Sequence, residues 1–457
     1  MYLKNTIRML TFCGMITCLP CTPGFCFGAA EENSENEKLP LADLQRFTTV
    51  IDNIKNYYVK PTEDGALFEN AMRGMLAGLD PHSSYLDKEE YEELKAATSG
   101  KFGGLGIEVI PEDGLIRVIS PIDDTPAQRA GIQSGDIIIR LNDTPVKGLS
   151  LREAIEKMRG ERGTNITLTI IRHGEAKPLR ITVTRDTINV RSVKSEMLDN
   201  NYGYVRVSQF QSNTGDDVVQ AVQNLKKTNG GKLKGLVLDL RNNPGGVLDS
   251  SVQVADAFLD RDKLKYDGVI VYTKGRMAGS QIKEKAHSGD ILNGAPIVAL
   301  VNGGSASASE IVAGALQDHR RAVVIGEQTF GKGSVQTVIP LKDSRGLKLT
   351  TALYYTPAGR SIQADGIKPD IIIQPLKMPK SDNGGDPQSG LMLREEDLRG
   401  HLENGNSKKN SGASAKEGKE ISSKDAKDNK DIPLVNRDYQ LFEALNILKG
   451  LSLLKQG

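Results

Sequence analysis

Between Ala295 and Val301 the chain reads Ala-Pro-Ile-Val-Ala-Leu-Val with no polar residue, then turns through Asn302-Gly303-Gly304 into a segment of helical periodicity. The apolar run predicts a buried strand and the glycines a tight turn. Ala308, Ile311, Val312, Ala315 and Leu316 then recur at i, i+3, i+4, i+7 and i+8, the apolar stripe of a helix starting at about Ser307. This strand-turn-helix unit constrains the chain to a mixed α/β core. It also aims the first amides of the helix, unsatisfied and at the positive dipole end, at whatever the Ser307 hydroxyl would attack. Ser307 to Glu310 is equally Ser-x-x-Glu, a capping box that accounts for the serine without any chemistry.

A nucleophilic serine needs a base, and the five histidines are poorly placed to provide one. His82 and His173 sit in turns, His287 in a polar loop and His401 in a low-complexity tail, while His319 follows the end of the Ser307 helix and suits a helix C-terminus. Lys332 is better placed, in Thr329-Phe330-Gly331-Lys332-Gly333, after the apolar run Ala322 to Ile325 and before the strand-like Ser334 to Leu341. If the backbone is extended from Lys332, then Lys332, Ser334 and Gln336 share one face, so Gln336 can orient the amine. Lysine acts as a base near neutral pH only when desolvation depresses its pKa, and flanking glycines permit the close packing that requires.

These residues resemble the carboxyl-terminal processing (tail-specific) serine proteases. Ser307 in Ser-Ala-Ser-Ala-Ser-Glu, Lys332 in Thr-Phe-Gly-Lys-Gly and Gln336 fall at that family's Ser/Lys/Gln positions. Leu238-Asp239-Leu240-Arg241-Asn242-Asn243-Pro244-Gly245-Gly246 looks like the family's strand and glycine turn, so the resemblance implies an oxyanion hole from Gly245 or Gly246 with Ala308. Thr356-Pro357-Ala358-Gly359-Arg360 and Gly366-Ile367-Lys368-Pro369-Asp370 also match, and the likeness runs from about Leu41 to Gln374 with a short return near Tyr439. It implies a serine endopeptidase with a Ser-Lys dyad, no metal and no cofactor, acting on apolar C-terminal tails of envelope proteins.

Two rival readings are a catalytically silent tail-binding scaffold and a P-loop-like ATPase. Gly326 to Gly333 is one residue short of a phosphate-binding loop, and Leu236-Val237-Leu238-Asp239 resembles a Walker B strand. The ATPase fails on mechanics: Gly333 stands where a magnesium-binding hydroxyl belongs, and a strand rather than a helix is expected next. Gly-x-Ser-x-Gly is absent around Ser307, which gives a nucleophile elbow no support.

A second functional unit precedes the core. Thr125-Pro126 opens a short helix that Gly131 ends, Ile137 to Leu141 reads as a strand, Ser150 and Glu153 box a helix whose apolar face is Leu151, Ala154, Ile155 and Met158, and Asn165 to Arg172 reads as a strand. With Gly104-Leu105-Gly106-Ile107 at its start this stretch resembles a PDZ domain. The amides of Leu105, Gly106 and Ile107 are the candidate cradle for a peptide's terminal carboxylate, the peptide adding as a strand. Arg159 is a candidate gating contact between this domain and the core, or simply a solvated charge at a helix end.

Lys4 and Arg8 precede the mostly apolar Met9 to Leu19, and Gly28-Ala29-Ala30 resembles a cleavage site, so residues 1–30 read as a secretory signal that holds all four cysteines. A periplasmic enzyme follows from that reading, with a membrane-bound form if the signal stays uncleaved. Net charge +1 argues against general nucleic-acid binding. Residues 31–99 carry helical patterns (Leu44, Phe47, Val50, Ile51, Ile54) and resemble the family's N-terminal arm, often used for dimerisation. The expected order is therefore this arm, a PDZ domain at 100–187, a mixed α/β protease core at 188–376, a disordered linker at 377–431 and an amphipathic C-terminal helix at 432–457. That last helix suits self-assembly or an adaptor or activator protein, and packing on the core of its own chain explains it equally well.

Overall fold

A six-stranded sheet forms the centre of the computed structural model, which describes residues 40–374 except 123 and 200, together with 394–406 and 434–455. Its strands run in the order Val193–Leu198, Tyr202–Val207, Gly235–Asp239, Ile297–Val301, Ala322–Gly326 and Ile371–Ile372. The first pair is antiparallel and the remaining pairs are parallel. Alternation along the strands divides their side chains between two cores. Leu236, Leu238, Ile297, Ala299 and Val301 pack with Val222, Val254, Ile311 and Leu316 from the helices Thr214–Thr228, Leu248–Asp256 and Ala308–Asp318. Val237, Val298, Leu300 and Ile325 face the other way, onto Leu441, Leu445 and Leu448 of the helix Tyr439–Leu454. Cover on both faces is why these strands read as continuous apolar runs. The C-terminal helix thus packs its apolar face on its own sheet.

A second sheet joins Ser84–Leu86, Gly346–Tyr355, Val269–Gly275 and Lys283–Lys285, with Ser334–Pro340 also paired to Gly346–Tyr355. The expected helical arm holds the helices Leu41–Tyr57, Asp64–Ala77 and Lys88–Ser99, and it also carries a strand. Ser84–Leu86 is a strand that pairs antiparallel with residues 346–348, so the stretch after the Leu79-Asp80-Pro81 break belongs to the catalytic core. Of the described residues, 40–68 form a separate unit. Its helix Leu41–Tyr57 has no buried residue.

Residues 101–189 make the PDZ domain around Leu105, Ile116, Val118, Ile138, Ala154, Ile166 and Leu168. The helix Leu151–Met158 has the expected Ser150/Glu153 capping box, and Lys101–Gly104 pairs with Asp186–Asn189 to close the domain at its base.

The expected disordered linker is also corrected in part. Residues 394–406 fold onto the core, because polar residues that count toward disorder in a composition find specific partners. Glu395 is fully buried, Asn404 Nδ2 donates to Gln363 O at 3.0 Å, and Gly405 N–H donates to Ser361 Oγ at 3.2 Å. The expected secretory signal and the remainder of the linker lie outside the described residues.

Candidate active site

Three neighbouring parallel strands deliver the site at their C-terminal ends, where ligands bind in open α/β sheets. Gly235–Asp239 leads into the 240–246 loop, Ile297–Val301 into the 302–307 turn, and Ala322–Gly326 into the 327–333 loop. Side chains stitch the first two loops together. Asn302 Nδ2 donates to Asn242 Oδ1 at 2.8 Å, Asn242 N–H returns to Asn302 Oδ1 at 2.9 Å, and Ser305 Oγ donates to Leu240 O at 2.8 Å. Ser309 Oγ and the Ala306 N–H both reach Asn243 O at 2.9 Å. The loops meet closely at Gly245, where an added Cβ would lie 2.8 Å from Ser307 Cβ.

Ser307 precedes the helix Ala308–Asp318 with φ 54° and ψ −112°. A serine at positive φ costs about 1–3 kcal/mol and persists only where its surroundings impose it. Glu310 supplies much of that restraint. Its buried carboxylate accepts the Ser307 N–H at 2.7 Å, Thr329 Oγ1 at 2.5 Å, the Gly331 N–H at 2.8 Å and the Lys332 N–H at 3.0 Å. Burial pushes this carboxyl up to about 7 against the pull of those donors. The Glu310 of the capping box is therefore also the link between the serine turn and the lysine loop.

Ser307, Ala308, Gly246, Lys332 and Gln336 line one cavity of about 370 Å³, walled on one side by Leu94, Ala97 and Thr98 of the helix Lys88–Ser99. Desolvation draws the Lys332 amine below the usual lysine range, and the cation of Lys348, also in the cavity wall, lowers it further. Glu395, Glu310 and Asp80 act in the opposite direction. Gln336 shares a face with Ser334, to whose Oγ it donates at 3.0 Å. Its other contact, to Thr350 Oγ1 at 3.4 Å, continues to Asp80 Oδ1 at 3.0 Å. Burial alone would raise the Asp80 carboxyl, but hydrogen bonds from Ser83, His82 and Thr350 outweigh it and hold it below the usual carboxylate range.

The two candidate glycines differ. Gly245 N–H is committed to Asn243 Oδ1 at 2.9 Å, so it is withdrawn from the site. The N–H groups of Gly246 and Ala308 have no protein acceptor among the described residues.

Several site residues escaped the sequence reading. Tyr354 is buried, donates its hydroxyl to Lys332 O and lies within hydrogen-bond reach of Ser307; burial pushes its phenol well above the ordinary value, so it stays a neutral donor. Tyr354, Lys348 and Asp80 come from distant strands and turns and carry no local motif. None of the five histidines lines the cavity, and His319 donates Nε2–H to Val269 O at 2.7 Å. No helix follows Gly333, which leads into the strand Ser334–Pro340.

In the PDZ domain Leu105 and Gly106 form the turn before the strand Ile107–Glu112, and their N–H groups have no protein acceptor among the described residues. Gly106 has φ 76°, and an added Cβ would lie 2.4 Å from Thr125 Cβ. Arg159 lies 3.9 Å from Glu93 and holds its guanidinium 5.4 Å from the centre of the Phe102 ring. Glu93 is on the same Lys88–Ser99 helix that walls the cavity.

A polar cavity fed by the ends of parallel strands, with a strained serine, a desolvated lysine and an appended PDZ domain, describes a serine hydrolase that handles peptides. Comparison with known proteins agrees. Residues 201–373 match peptidase family S41, residues 103–183 a PDZ domain, and residues 27–90 the N-terminal domain of the activating protease CtpB. A carboxy-terminal-processing protease of Bartonella bacilliformis is 47% identical over 420 residues, 91% of each chain. The carboxy-terminal processing protease CtpA of Bacillus subtilis is 36% identical over 72% of this chain and 68% of its own. Among solved structures, the photosystem II D1 C-terminal processing protease is 32% identical over 72% of this chain and 86% of its own, with a TM-score of 0.43. The chain belongs to the S41 family of carboxy-terminal processing proteases and is a serine peptidase with a PDZ domain.

Proposed function

We propose that Ser307 and Lys332 form a catalytic dyad that cleaves proteins recognised by apolar C-terminal tails. The observation that carries this reading is the shared cavity, lined by Ser307, a desolvated Lys332, Gln336, and Gly246 and Ala308, whose N–H groups have no protein acceptor among the described residues. The neutral Lys332 amine takes the Ser307 proton as Oγ attacks the peptide carbonyl. The N–H groups of Gly246 and Ala308 receive the oxyanion, in a turn that Glu310 fixes beforehand. Lys332 then protonates the leaving amine, and water, deprotonated by the same amine, releases the acyl group. Gln336, braced through Thr350 on Asp80, orients the lysine. The Leu105–Ile107 turn holds the tail's terminal carboxylate while the tail adds as a strand.

Ser307→Ala and Lys332→Ala in the full chain, assayed with a tail-bearing protein, test the dyad. Each is expected to retain tail binding and lose ATP-independent cleavage; undiminished cleavage by either variant ends the assignment.

The reading extends to an exported, periplasmic enzyme whose N-terminal segment is a signal, which N-terminal sequencing of the mature protein checks. It also extends to homo-oligomers through the helix Leu41–Tyr57, where Leu44, Phe47 and Val50 are exposed. Phe47→Asp is expected to lower the mass measured by light scattering. An adaptor or activator would be found by co-purification with the Ser307→Ala chain.

A further inference from the structure

Residues 394–406 lie beyond the stretch matched as a peptidase, yet their buried anchor reaches the lysine loop. Glu395 is 0% exposed, and its carboxylate oxygens accept from His82 Nε2 at 2.7 and 2.8 Å. Gln363 Nε2 donates to Glu395 Oε1 at 2.9 Å, and Gln363 Oε1 accepts the Gly333 N–H at 2.9 Å. Glu395 N–H donates to Phe330 O at 3.2 Å. One acidic residue therefore grips the loop on both sides of Lys332, by its backbone at Phe330 and through Gln363 at Gly333. A carboxylate on a polar segment is ordinarily left in water, because burying it is costly unless it is paired and hydrogen-bonded.

We infer, on the basis of the Ser307–Lys332 dyad, that Glu395 is a positioning residue for catalysis: it fixes the Phe330–Gly333 loop on both sides of Lys332, by its own N–H at Phe330 and through Gln363 at Gly333. The charged groups acting on that amine include Lys348 from the Gly346–Tyr355 strand, Glu310 from the Ala308–Asp318 helix, Asp80 from the turn before Ser84–Leu86, and Glu395 itself, with the titratable His82 bonded to Glu395 and the Tyr354 phenol bonded to Lys332 O. Lys348 opposes protonation and the three carboxylates favour it. Removing the charge of Glu395 therefore leaves the amine neutral at lower pH, while loosening the loop slows the reaction. The two effects have different signatures.

The test is the pH profile of the full chain carrying Glu395→Gln, with a tail-bearing peptide as substrate. KM is expected within about twofold of wild type and plateau kcat about tenfold lower. The acid limb of kcat/KM should move to lower pH by about half a unit or more. A purely structural role would reduce thermal stability and the yield of active enzyme without moving the limb, so an unmoved limb in a folded Glu395→Gln chain overturns the inference. Gln363→Met leaves Glu395 in place and breaks the link to Gly333, and it serves if Glu395→Gln does not fold. Its expected result is faster hydrogen exchange at Gly333 and lower kcat with the limb in place; wild-type exchange and kcat overturn the positioning role. Lys332→Ala separates the two levels. If it cleaves normally, the dyad fails and takes this inference with it; if it is inactive while Glu395→Gln matches wild type in limb and plateau, the role of Glu395 alone falls.

Discussion

The PDZ domain and the catalytic core use the same devices, glycine turns and capped helices, but draw on the chain differently. Between residues 101 and 189 every PDZ strand pairs with another from the same stretch. The core collects its parts from remote places: Ser84–Leu86 on one sheet, residues 394–406 against the lysine loop, and Tyr439–Leu454 on the central sheet. A local unit is stabilised by contacts that each stretch finds nearby, whereas the core draws its outer layers from segments far apart in sequence.

Substitutions separate the two regions by what they spare. Ser307→Ala is expected to lower kcat by at least about 10⁴-fold with tail affinity unchanged, as measured by single-turnover cleavage and tail-peptide titration. Leu448→Ala should destabilise the core by about 2–5 kcal/mol in denaturant. Hydrogen exchange should then accelerate in Gly235–Asp239 and Ile297–Val301 and not in the PDZ strands; acceleration in both would mean the regions unfold as one. Gly106→Ala meets Thr125 and a φ of 76°, so tail affinity should fall about tenfold while cleavage of a short peptide lacking the tail persists.

Smaller effects probe the seam and the field. With Lys332 as the proposed base, active only when neutral, cleavage is expected to rise with pH and level off below the usual lysine range. Lys348→Ala removes a cation that lowers the Lys332 pKa, so the acid limb should shift to higher pH. Arg159→Ala, which loses the Glu93 and Phe102 contacts, is expected to change kcat/KM for tailed substrates about two- to threefold and leave untailed peptides unaffected. An equal change for both substrates would remove Arg159 from any gating role.

The same contrast explains what could be read in the sequence. The PDZ elements and the turn from Val301 into the Ser307 helix were legible because caps, glycines and periodicity act within a few residues. Glu310 was legible only as a cap, since its donors Thr329, Gly331 and Lys332 belong to another loop. Choosing between Gly245 and Gly246 required knowing that Asn243 folds back onto one amide. Glu395 was hidden in a polar stretch whose composition argued for disorder, because composition counts apolar area and misses a single well-paired carboxylate.

The C-terminal helix gives the enzyme an order of events. Asp438 caps it through Leu441 N–H at 3.0 Å and also holds Arg241 at 2.7 Å, just ahead of the Asn242–Gly246 loop. During synthesis, a chain that has emerged through Ile373 has the strands and Lys332 but not the layer over Val237, Val298 and Leu300, nor the clamp on Arg241. The cover over Val237, Val298 and Leu300 and the Asp438 carboxylate that pairs with Arg241 are therefore the last described parts of the core to be synthesised.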